Sequence, residues 1–229
     1  FTLFKLDEYF KFHQIIQDIQ NFCSIQLGGY YLDIIKDRLY TSKTDGDPRR
    51  ASQYVCNNIL KMINMWIAPI LPFTAEEVYQ SMDDKKFESI FLEEWSTDKF
   101  MITDDEKVIG DKLFSLKHLV SKELDEARNK ELIGSSLDAT LQLNVDRETY
   151  NILLKYEDEL KFIFITSECK LRAHETKDQI NIIVEKNNNQ KCDRCWHKHE
   201  SVGKIKEHET ICSRCHSNVY EDGEKRYLG

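Results

Sequence analysis

The residues whose types and spacing most directly imply chemistry are Cys192, Cys195, Cys212 and Cys215, arranged as C-x2-C-x16-C-x2-C. Two close pairs at this separation suit a four-cysteine zinc site. Each pair sits on a tight turn that aims two thiolates at one metal, and two such turns complete a tetrahedron. Two disulfides are the competing reading. An odd total of seven cysteines and the lack of a signal peptide favour a reducing compartment, and hence the metal. Four protein ligands leave no open position for water. The expected zinc, one ion, is therefore structural and supplies folding energy to a segment poor in apolar residues. His197, His199, His208 and His216 crowd the same tail. One of them could replace a cysteine, but four thiolates suffice, so these histidines are expected at the surface or supporting the site.

Trp196 follows the second cysteine directly, with Arg194, Lys198, Lys204 and Arg214 close by in sequence. A large indole in so small a module is either its core or an exposed platform, and the residues alone leave both open. In the second case the pattern is that of a single-stranded RNA grip, with bases stacked on the aromatic face and cations on the phosphates. Catalytic signatures are missing: there is no Gly-rich phosphate loop, no GxSxG and no HExxH. Acidic pairs such as Glu76-Glu77 and Glu93-Glu94 read as solvated helix faces, so no catalytic residue is expected.

The elements that must position these groups fall into three blocks. Residues 1–133 read as a helical bundle. Phe12, Ile15, Ile16, Ile19, Phe22 and Cys23 recur at helical spacing over 5–27, and Gly28-Gly29 ends or bends that helix. A second helix carries Tyr31, Ile34, Ile35 and Leu39 on one face. Asp47 is placed as a cap with Pro48 at the first helical position, before Val55, Ile59, Met62, Ile63 and Trp66. Thr74-x-x-Glu77 reads as a capping box, with Phe73 and Val78 as a hydrophobic staple. A long helix over Asp105–Asn129 follows, with Ile109, Leu113, Leu116, Val120 and Leu124. Residues 134–186 read as a small α+β connector: a strand in SLDATLQLNV, a helix over Glu148–Leu160, and strands in LKFIFITS and QINIIVEK. Residues 187–229 are the zinc module, reached through the polar stretch KNNNQK. The expected class is mainly α, with a small α+β unit and a zinc tail.

Net charge is −8, which argues against broad nucleic-acid coating, but the charge is uneven. From Lys186 to Gly229 the cations slightly outnumber the anions. The longest apolar runs are too short to cross a bilayer. The chain opens directly in an amphipathic pattern, FTLFKLDEYF, as a piece excised from a longer protein would.

Three blocks in order carry a family resemblance. YYLDIIKDRLYT and RRASQYVCNNILKMINMWIAPILPFTAEEVYQ resemble the anticodon-binding helical domain of class I synthetases for isoleucine, valine and leucine. EARNKELIGSSLDATLQL looks like the isoleucyl member, and KCDRCWHKHESVGKIKEHETICSRCHSNVYEDGEKRYLG is similar to the C-terminal zinc finger of bacterial-type isoleucyl-tRNA synthetases. The resemblance covers essentially the whole chain. It implies the tRNA(Ile) anticodon stem-loop as partner, together with the enzyme's own catalytic domain, in a cytoplasmic monomer that binds neither DNA nor membrane. It also implies that ATP is used by the parent ligase and not here, because the HIGH and KMSKS signatures and the editing domain are absent from these residues. The piece alone is then inactive. An acidic chain that meets a polyanion needs a local basic track, expected from Lys43, Arg49 and Arg50 plus the tail cations; basic residues in a first helical turn oppose the dipole and so suggest a functional reason. A zinc-finger DNA glycosylase-related module and a helical bundle without RNA affinity are the alternatives.

Overall fold

The computed structural model of the chain describes residues 12–95, 102–175 and 180–228. It is mainly helical, with one three-stranded sheet and a cysteine-rich tail, the class expected. Two compact units form: Phe1–Asp33 with Ala51–Met101, and Ile34–Arg50 with Ile102–Gly229. Residues 34–50 and the long helix share a unit with residues 134–229.

In the first unit, helix α1 is described over Phe12–Asn21 and buries Ile15 and Ile19; the part of the expected 5–27 helix before Phe12 lies outside the described residues. Gly28-Gly29 does not end this helix. The backbone instead widens into a π-helical run, Phe22–Leu32, that passes through both glycines into α2, Asp33–Thr41. A Cβ at Gly28 would stand 3.0 Å from the Cys23 carbonyl oxygen, and one at Gly29 would stand 3.2 Å from that of Ser24. The carbonyls five residues back occupy the space a side chain would need, so the glycines permit the wide turn where the sequence suggests a break.

Helix α3, Asp47–Ile67, begins one residue earlier than expected, since the Gly46 carbonyl already accepts the Arg50 N–H at 3.1 Å. Helix α4 spans Pro72–Gln80. The capping box at Thr74 does not form: Pro72 takes the first helical position, and the Leu71 carbonyl accepts the Ala75 N–H at 2.9 Å. Proline has the right φ and no N–H to satisfy, so it fixes the start ahead of Thr74. Phe73 is 89% exposed, which removes the staple as well. Ala68, Ala75, Tyr79 and Ile90 form a small core here.

The second unit is built on β1, Ala139–Asp146, whose Ala139, Leu141, Leu143 and Val145 are fully buried on one face. It pairs in parallel with β2, Glu168–His174, and antiparallel with β3, Asn181–Lys186. Helix α5, Asp104–Asn129, starts at a capping box: Thr103 Oγ1 accepts the Glu106 N–H at 3.2 Å, and Glu106 accepts the Thr103 N–H at 2.8 Å. Its Leu113, Leu116, Val120, Leu124 and Ala127 are buried in the helical rhythm expected.

After α6, Arg147–Leu153, the segment LKFIFITS is not a strand. Helix α7 spans Glu157–Phe164. A short apolar run does not reveal its period. Glu157, Asp158 and Glu159 complement the dipole in the first turn, and Ile165, at φ 57°, closes the last. The strand expected there is displaced to Glu168.

Candidate functional site

The Cys192–Cys195 pair lies on a tight turn, and Cys212 precedes helix α8, Ser213–Tyr220, whose first turn carries Cys215. The four sulfurs lie within 4.8 Å of one another, and those of Cys195 and Cys212 are 3.7 Å apart. A disulfide bond measures about 2.05 Å. A tetrahedron with zinc–sulfur bonds of about 2.3 Å places its sulfurs about 3.8 Å apart, close to the Cys195–Cys212 distance. The donor set therefore fits zinc and does not fit disulfides. All four cysteines are buried, with Val202 and Ile211 half-buried against them. So small an apolar core needs the metal's contribution.

No histidine joins this cluster among the described residues. His197 is buried against Phe162, with ring centroids 5.5 Å apart. His199 pairs with Ser201 at 2.7 Å, His216 lies 3.1 Å from Glu221, and His208 stacks on Tyr220 at 4.2 Å.

The module is fastened to α2 and the loop after it. Asp37 accepts two hydrogen bonds from Arg214, at 2.7 and 2.8 Å, and one from Arg226 at 2.5 Å; His197 Nε2 lies 3.7 Å away. Burial alone would raise the pKa of Asp37, but contact with His197 and Arg214 and the charges of Arg214 and Arg226 hold its carboxyl far below the usual carboxylate range. Glu224 joins the same arginines, and Arg226 lies 3.4 Å over the Phe162 ring. Glu159 accepts the backbone N–H groups of Tyr227 and Leu228, and Arg38 donates to the Leu228 carbonyl, so the C-terminal strap is held on both sides.

Trp196 is not the core of the module. It is 60% exposed, at a left-handed φ of 66°, with Lys191 Nζ 5.1 Å from its ring centroid. A bulky residue at positive φ is strained. The turn holds it because the Trp196 N–H donates to the Cys192 carbonyl at 2.9 Å and the Cys192 N–H donates to the His197 carbonyl at 2.9 Å.

Comparison with known proteins adds a direct finding: residues 4–143 match the anticodon-binding domain of tRNA ligase. The chain belongs to that anticodon-binding family. Residues 189–218, which hold all four cysteines and Trp196, match a zinc finger found in FPG and IleRS. The chain is similar to the isoleucine–tRNA ligases of Shewanella sp. (strain MR-4), 39% identical over 231 residues, and of Alcanivorax borkumensis, 39% identical over 230. The ligase of Coxiella burnetii (strain RSA 331 / Henzerling II) is 38% identical over 228 residues. These alignments cover 95–96% of this chain and 24–25% of each relative, so the chain spans about a quarter of their length.

Within this member of the anticodon-binding family, the cations marked in the sequence divide into two groups. Arg214 is bound to Asp37, as above. Arg194 donates to the Thr41 carbonyl at 2.5 Å and lies 3.6 Å from the Cys215 sulfur. Lys198 reaches the Asn187 carbonyl at 3.0 Å and Asp138 at 3.2 Å, and Lys43 reaches the Glu221 carbonyl at 2.8 Å. Two of the others face outward. Lys204 is exposed, 3.9 Å from Glu200, and Arg50 is exposed beside Asp45 at 2.6 Å. Arg49 is half-buried, with a buried Nε that has no hydrogen-bond partner.

Sequence reasoning did not mark Asp37, Glu159, Glu224 or Arg226, because their partners lie far away along the chain. It also passed over Lys191, within KNNNQK. In that stretch Asn187 is buried, donating its N–H to the Asp138 carbonyl at 2.7 Å and its Nδ2 to Thr140 at 3.0 Å.

Proposed function

We propose that the chain is the C-terminal tRNA-binding region of an isoleucine–tRNA ligase and grips the anticodon stem-loop of tRNA(Ile). The observation that carries this reading is Trp196. An indole is presented to solvent from a metal-fixed turn, at a cost in backbone strain, with a cation beside it. Base stacking on an exposed aromatic is how single-stranded RNA is commonly held. A rigid turn also lowers the entropy lost on binding.

In this proposal Trp196 meets a base, while Lys191, Lys204, Arg49 and Arg50 meet phosphates. Arg194, Lys198, Arg214 and Lys43 act differently. Their donors are directed at protein acceptors, so they hold the zinc module in place. One structural zinc is bound by Cys192, Cys195, Cys212 and Cys215. Aminoacylation and ATP use belong to the parent ligase, through parts these residues do not include. The chain acts within a cytoplasmic monomer.

The anticodon-binding match over residues 4–143 favours this reading over a DNA glycosylase module. Equilibrium binding of the zinc-loaded chain to a tRNA(Ile) anticodon stem-loop, against a stem-loop of scrambled loop sequence, tests it. Preferential binding of the cognate loop is expected, and equal or absent binding contradicts the proposal.

A further inference from the structure

Asp37 meets side chains from three separate places, two of them hydrogen-bond donors. Arg214 lies between the ligands Cys212 and Cys215 on α8, Arg226 lies in the C-terminal strap, and His197 directly follows Trp196. One side chain on α2 thus touches the neighbours of both ligand pairs and the residue after the indole. The carboxylate is largely buried, its side chain 16% exposed, and it is ringed by cations. An acidic group in that position has no attraction for a phosphate, so any influence of Asp37 on RNA must pass through the geometry it maintains.

We propose that Asp37 is the positioning residue through which α2 holds the zinc module, and with it Trp196, in the orientation that meets RNA. This rests on the reading of Trp196 given above. Other links between α2 with the loop after it and the module are single bonds: from Arg194 to the Thr41 carbonyl, from Lys43 to the Glu221 carbonyl, and from Ser42 Oγ to the Glu224 carboxylate at 3.1 Å. A carboxylate shared by two arginines differs from these. It shares the charge of both arginines with Glu224 of the module's own tail, but only its paired bonds from Arg214 tie that network to α2 in direction as well as distance. Arg214 and Arg226 also lie against Phe162 of α7, with their guanidinium carbons 4.8 and 3.4 Å from the ring centroid. The orientation set at Asp37 is thereby referred to the sheet-bearing part of the same unit.

The test compares the zinc-loaded 229-residue chain with Asp37→Asn, Trp196→Ala and the double variant. Zinc content, amide exchange over residues 213–228 and affinity for a tRNA(Ile) transcript are read on each. Asp37→Asn should keep its zinc, exchange faster over 213–228 and bind tRNA about tenfold more weakly, because apparent affinity scales with the fraction of molecules in the competent orientation. In the Trp196→Ala background the same change should cost clearly less, the remainder being the phosphate contacts of Lys191 and Lys204 on the same module, and Asp37→Glu should recover part of the loss. Unchanged affinity of Asp37→Asn, or losses that simply add, overturns the proposal. If Trp196→Ala alone leaves affinity unchanged, the stacking reading fails, and the positioning role falls with it even if exchange is faster. Should Asp37→Asn lose zinc, Arg214→Lys, which keeps the charge but breaks the paired geometry, is put through the same comparisons.

Discussion

Asp37 and Arg214, far apart in sequence, are joined by two near-parallel hydrogen bonds of 2.7 and 2.8 Å in a largely buried setting. Removing Asp37 leaves the two buried arginines to share Glu224, so the cost is about 3 kcal/mol, the low end for a broken buried pair. Asp37→Ala should therefore destabilise the second unit by about that amount near neutral pH, measured by denaturant unfolding.

The same pair makes stability acid-sensitive. The folded pKa of Asp37 is depressed, so its contribution is complete well above the unfolded value of about 3.9 and is lost as pH falls below that value toward the folded one. The stability gap between the natural chain and Asp37→Ala should be widest above about pH 5 and should shrink on acidification. A gap that stays constant from pH 6 to pH 2.5 would show that the carboxylate is not ionised against the arginines.

The glycines give a contrast within one chain. Gly110, on the exposed face of α5, has nothing within 4 Å of an added Cβ, so Gly110→Ala should stabilise by about 1 kcal/mol. Gly28→Ala should do the reverse despite the same helix propensity, since its Cβ would meet the Cys23 carbonyl at 3.0 Å. Thermal melts of the two variants check the signs; stabilisation by both would mean that the π-helical run is not a feature of the folded chain.

For the metal, protein purified without added zinc should carry one ion per chain by elemental analysis. Cys215→Ser should lose it and free residues 191–228 to fast amide exchange, because few apolar groups remain to hold the tail. Disulfides in the tail of the natural protein, shown by mass spectrometry, would refute the site.

What could be read from the sequence was local. The zinc ligands were legible because their geometry is set by two short spacings. The buried faces of α5 and β1 were legible because Leu113, Leu116, Val120 and Leu124, and Leu141, Leu143 and Val145, repeat at the periods of helix and strand. Where two local signals compete the outcome turned on chemistry that pattern does not rank, as when Pro72 pre-empts the Thr74 cap, or when acids before Leu160 and a left-handed Ile165 make a helix of an apolar run. The anchoring of the zinc module was not legible at all. Asp37 looks like any polar position on α2 until Arg214 and Arg226 are folded against it, and the left-handed turn that leaves Trp196 exposed rests on backbone bonds that spacing does not show.

The most direct test of the account is one variant with two readouts: Trp196→Ala, its zinc content and its affinity for tRNA(Ile) measured on the same sample. The account predicts one zinc retained and binding weakened by about 1–3 kcal/mol, the worth of a base stacked on an aromatic ring. Undiminished affinity in a zinc-loaded variant, or loss of the zinc with the indole, would contradict it.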